Sequence, residues 1–154
     1  MFALAIVLSY VESLVPTIVP VPGIKLGLSN IVTMYCLFFI NAPCALLLAV
    51  LKSGFVFITR GATAALLSAA GGICSVAAMA GLRKLDSSDG LVSVTGAITH
   101  NLAQLCVSYF LLGTVVVFYY VPVLLISGII MGVITISLLN VALPAINRAS
   151  GTKK

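Results

Sequence analysis

ATAALLSAAGGICSVAAMAGLRKLDSSDG, residues 62–90, decides the fold. Residues 62–82 carry no charge, which is the length of about 20 residues that a helix needs to cross a bilayer. The run then breaks at Arg83-Lys84 into RKLDSSDG, the one hydrophilic stretch inside the chain. A span followed by a short connection is the pattern, and it repeats in both directions. Gly, Pro and charge punctuate the chain into helices at about 2–15, 25–40, 42–59, 62–84, 92–113 and 122–146. Asn41 and Pro43 suit the cap and first turn of the third helix after a tight hairpin. VPTIVPVPG, residues 15–23, cannot be regular helix, because each proline removes a donor and restricts its predecessor.

Composition agrees. Of the 154 residues 62% are hydrophobic and 7% charged, with three acidic residues in all, and the mean hydropathy is +1.29. A soluble domain could not cover its surface from that inventory, so lipid is the main solvent. The expected fold is all-α, a single transmembrane domain over 1–154 built from about six helices. The net charge of +5 is scattered rather than interleaved with stacking aromatics, which argues against nucleic acid. Residues 1–15 lack the basic n-region and cleavage site of a signal peptide, so the first run reads as a retained, short helix. Cys36, Cys44, Cys74 and Cys106 stand apart in apolar runs and read as small packing residues, and no metal site or cofactor is expected.

The basic residues set a topology. With six spans, RKLDSSDG and the tail NRASGTKK share a side that holds Arg83, Lys84, Arg148, Lys153 and Lys154. The positive-inside rule then puts both termini in the cytoplasm of a plasma-membrane protein, with the proline segment, Arg60 and the Tyr119-Tyr120 turn outside. Small residues mark packing seams: Ser68, Gly72, Ser75 and Met79 share one face with Gly71 beside it, and Gly128 and Gly132 form GIIMG. Backbone approach to a ligand is the alternative use of such a stripe.

Ionisable groups inside a span are costly and so flag sites. Glu12 lies near the outer end of the first helix, and Lys52 lies roughly 10 Å below the outer end of the third at 1.5 Å per residue. Lys52 either snorkels to the interface or meets an internal partner, Glu12 or an anionic ligand. In GAITHNLAQLCVS, residues 96–108, His100, Asn101 and Gln104 share a stripe with Ser93 and Ser108, opposite Ile98, Leu102 and Leu105. Such a stripe faces the bundle interior, as an interhelical network or as part of a binding site. Asp86 and Asp89 in the loop are too few to hold the magnesium ions of diphosphate chemistry, and no nucleophile has a neighbouring base, so no enzyme activity is expected.

The blocks PVPGIKLGLSNIVTMY, SAAGGICSVAAM and VSVTGAITHNLAQL resemble the signature blocks of the Gx transporter family, also labelled heptaprenyl diphosphate synthase component I. That family is similar in architecture to the S-components of energy-coupling-factor transporters. The resemblance implies six membrane helices and a long first loop closing over an outward-opening pocket. Lys25 and Asn30 match its KLGL.N block, and His100, Asn101 and Gln104 its HN..Q block. Lys52 stands where relatives tend to carry arginine, keeping the charge without the bidentate fork. The expected function is a membrane-embedded component that binds and takes up a small molecule, anionic or phosphorylated with an apolar body. Glu12, Lys25, Asn30, Lys52, Arg60, His100, Asn101 and Gln104 are its expected ligand-binding residues. Expected partners are membrane lipid, the small-molecule ligand, and an ATP-driven energising module or a soluble enzyme, since the chain has no P-loop. The alternative is a non-catalytic membrane subunit that presents isoprenoid or quinone precursors to a prenyl diphosphate synthase.

Overall fold

The computed structural model describes residues 2–14 and 28–149. These form six α-helices in an all-α bundle: α1 (Phe2–Leu14), α2 (Leu28–Phe39), α3 (Ala42–Arg60), α4 (Ala62–Lys84), α5 (Asp89–Leu112) and α6 (Val121–Ala149). A 3-10 helix, Val115–Tyr120, occupies what the sequence suggested was a plain turn between α5 and α6. Helix α5 begins at Asp89, three residues before the expected start, because Asp89 at the first turn favours the positive helix end. The proline segment 15–23 lies outside the described residues.

Three stretches, Ala42–Arg60, Ala62–Lys84 and Val115–Val141, are long and apolar enough to cross a membrane. Their outward faces carry large apolar side chains such as Phe57, Ile58, Ile126 and Val141, an arrangement suited to acyl chains and unsuited to water. The chain is a membrane bundle.

Connections are short and each has a local cause. The Asn41 side chain accepts the Cys44 amide at 2.8 Å, capping α3 with Pro43 in its first turn. Gly61 alone joins α3 to α4, at a φ of 87° that a side chain would strain. Gly113 ends α5 in the left-handed region and donates to Tyr109 O at 2.9 Å. These turns make consecutive helices antiparallel neighbours. Helix α4 packs between α3 and α5, and α5 between α4 and α6, while α1 and α2 lie against α3.

Glycines set the close approaches. A Cβ on Gly132 would sit 2.5 Å from the Val94 Cα, and one on Gly128 3.1 Å from the Ile98 Cα, so GIIMG is the surface that lets α6 meet the α5 backbone. Gly72 receives Ala49 of α3, and Gly96 of α5 receives Met79 of α4. The main core gathers Ala5, Val32, Met34, Cys36, Leu48, Val76, Val92 and Leu139 from all six helices.

Candidate functional site

Lys52 is half-buried on α3 and points at α2, where its ammonium donates to Asn30 Oδ1 at 3.4 Å. The pair borders a cavity of about 10 Å³ whose wall also includes Thr33, Ser68, Gly72 and Ser75. A second cavity of about 30 Å³ shares Asn30, Ser75 and Met79 and continues to Ser93 and Thr135. Each is the size of one or two waters. The hydroxyls beside the lysine come from α2 and α4, Thr33, Ser68 and Ser75, and those of Ser93 on α5 and Thr135 on α6 line the second cavity. Helical spacing explains the α4 contribution: Ser68, Gly72, Ser75 and Met79 recur at three and four residues and so face one way.

The second cluster lies beside this face, at Gly71 of α4. His100 and Gln104, one turn apart on α5, approach each other with Nε2 to Nε2 at 3.1 Å. An amide nitrogen donates, so in this pairing the imidazole nitrogen is the acceptor. Both side chains fill the notch at Gly71, where an added Cβ would stand 2.8 Å from the imidazole and 3.0 Å from Gln104 Cγ. Gln104 is buried at 8% exposure, which fits a group that must be satisfied within the bundle.

Asn101 turns the other way. Its amide donates to Leu124 O at 3.1 Å and to Ser127 Oγ at 3.4 Å, both on α6. Ser93 follows it, donating to Gly132 O at 2.7 Å. The stripe on α5 is therefore divided between two neighbours, because α5 has packed helices on both sides. Its apolar arc is also covered in part: Leu105 is buried with Val117 and Leu124, and Ile98 meets Gly128.

Of the expected binding residues, Asn30 and Lys52 are brought together, and so are His100 and Gln104. Asn101 joins neither pair. Arg60 is exposed in the last turn of α3, two turns beyond Lys52. The Glu12 side chain and Lys25 lie outside the described residues. Thr33 and Thr135 reach the cavities although sequence reasoning passed over them, since a threonine in an apolar run carries no charge to flag it. Arg83, counted in the sequence only for topology, turns out to bind α2: its guanidinium donates to Leu37 O at 2.8 Å and Phe38 O at 2.7 Å. Among the described residues no three or more His, Cys, Asp or Glu side chains gather as metal ligands.

An ammonium on a cavity lined by hydroxyls in a low-dielectric bundle can donate several hydrogen bonds to one anionic group, and such bonds are stronger than in water. A family model described as heptaprenyl diphosphate synthase component I matches residues 1–142. No curated protein and no solved structure matches the chain.

Proposed function

The chain belongs to the heptaprenyl diphosphate synthase component I family, and we propose that within it this protein is a non-enzymatic membrane component that binds and takes up a small amphiphile with an anionic head. Lys52 carries this proposal: an ammonium inside a membrane bundle, on a polar cavity with Asn30, Thr33, Ser68 and Ser75, marks a site by default. The head of the ligand would sit at Lys52. Its apolar body would extend along Met34 and Met79, whose flexible thioether side chains adapt to varied shapes. The cavities have room for no more than one or two water-sized molecules each, so entry requires α2 to part from α3 and α4.

Charge bias supports an orientation with the Asn41 end and the 85–88 turn in the cytoplasm and Gly61 and Val115–Tyr120 outside the plasma membrane. Tyr119 and Tyr120, both exposed, suit the membrane–water boundary. In that orientation Lys52 lies in the outer half, and uptake would be powered by a separate ATP-driven module, as in the S-component-like architecture the sequence resembles.

The family description favours a second use of the same site. A prenyl diphosphate also has an anionic head and an apolar body, so the protein would present it to a soluble synthase. Farnesyl diphosphate binding to the protein in nanodiscs, measured by calorimetry beside farnesol, tests the shared premise. Binding of the diphosphate, its loss in Lys52→Met, and indifference to farnesol are expected. Equal affinity in the variant would overturn the site. Accumulation of ligand in proteoliposomes then supports uptake, and recovery of a prenyl synthase with the protein supports presentation.

A further inference from the structure

The two cavities near Lys52 share a wall made by Asn30, Ser75 and Met79. Asn30 is bonded to the lysine and a serine side chain is short, so Met79 is the part of that wall that can narrow or widen the passage. Its thioether lies against the α5 backbone at Gly96, where a Cβ would stand 2.6 Å from both Met79 Cγ and Sδ and 3.3 Å from Ser75 Oγ. The bare backbone at residue 96 is a recess for the methionine. A side chain there would push the thioether back between the cavities.

The second cavity has a character of its own. Met34, Met79 and Met131, every methionine after the first residue, line it. Unbranched thioether side chains fill irregular space and adapt to what enters it, so this wall can yield. Hydroxyls stand among the methionines. Thr135 is 7% exposed and Ser75 5%, and neither has a hydrogen-bond partner among the described residues. Ser93 gives its proton to Gly132 O, which leaves its oxygen able to accept. A buried hydroxyl in a membrane bundle is costly until something bonds it.

We propose that the second cavity is a subsite for the far end of the ligand, reached from Lys52 past Met79, which Gly96 lets stand aside. This rests on the reading that Lys52 receives an anionic head. It narrows the ligand to a chain of three parts: an anion for the lysine, an apolar stretch that passes the methionines, and a hydrogen-bonding end, such as a hydroxyl, for Thr135, Ser75 and Ser93. Farnesyl diphosphate, whose body ends in methyl groups, lacks the last of these.

Hexyl phosphate and 6-hydroxyhexyl phosphate, compared by calorimetry on the full chain in nanodiscs, test this. Methionine methyl NMR runs beside them, because Met131 lines the second cavity and not the first, and so reports its occupancy. The hydroxylated phosphate should bind roughly tenfold tighter, as one added hydrogen bond allows, and should move the Met131 methyl signal. Thr135→Val, which exchanges the hydroxyl for a methyl, should abolish the preference. Gly96→Ala should lose the Met131 shift, and adding Met79→Ala should restore it, which a general loss of packing between α4 and α5 would not do. Thr135→Val serves if Gly96→Ala does not accumulate. Equal binding of the two phosphates with a silent Met131 methyl would overturn the subsite and leave the head site at Lys52 standing. A Met131 shift that survives Gly96→Ala would overturn the part given to Met79. Binding that persists in Lys52→Met, or no binding of either phosphate, would remove the head site and the subsite with it.

Discussion

Gln104 and His100 are read from the sequence as inward-facing because polar groups cannot face acyl chains, and they do share one notch on α4. Asn101, on the same stripe, bonds α6 instead. A helical wheel separates interior from lipid but not one interior neighbour from another, which is why the stripe was legible and its division was not. Replacing Gln104 by Leu removes the partner of His100 Nε2 and should cost about 1 to 3 kcal/mol, read as a lower midpoint of thermal unfolding in detergent. Leu102→Ile keeps the volume and should cost under about 1.5 kcal/mol. Equal losses in the two variants would mean the amide contributes only bulk. Lys52 was legible as a charge out of place, and Arg83 was not, because an arginine at the end of a span is already explained by topology. Lys52→Met should weaken farnesyl diphosphate binding at least tenfold, about 1.4 kcal/mol, while the protein keeps its helix content by circular dichroism.

At the level of elements, the helix boundaries followed from punctuation that acts locally. Asn41, Gly61 and Gly113 each end or begin a helix through their own backbone or side-chain bonds, so reading them required no knowledge of the fold. The 3-10 helix was invisible because VVVFYY offers no Gly or Pro, and its one local signal is the Thr114 hydroxyl that accepts the Val116 amide at 3.4 Å. Glycine spacing announced the seams, yet which helix each seam receives depends on tertiary order. Three glycines separate the cases. Gly132→Ala would place a methyl 2.5 Å from the Val94 backbone, so α6 must retreat along the seam, and a cost above about 2 kcal/mol is expected, typical of severe overpacking. Gly54 and Gly81 have nothing within 4 Å of a built Cβ, and their replacement by alanine should stabilise the helix by up to about 1 kcal/mol. Thermal unfolding of the three variants in one detergent checks the ordering. A Gly132→Ala protein as stable as the parent would show that α5 and α6 do not meet as described.

Across the whole molecule, hydropathy made the six-helix bundle legible, and charge bias made the orientation a testable expectation. Ser87→Cys in the α4–α5 turn should resist an impermeant thiol reagent in intact cells, whereas Tyr119→Cys on the 3-10 helix should react. The opposite pattern would invert the molecule and put the Lys52 end of the cavity in the cytoplasm. The pairing of α5 with α6 bears also on how the protein is made. Ser93 and Asn101 find their acceptors on α6, at Gly132, Leu124 and Ser127, and these residues are synthesised later than α5 itself. While α5 waits, its hydroxyl and amide would face lipid unpaired, at a cost that holds a helix near the insertion channel. Biosynthesis therefore favours release of α5 and α6 together as a hairpin. A ribosome stalled before residue 121 should leave α5 crosslinked to the insertion machinery, and one stalled well past residue 132 should let it go.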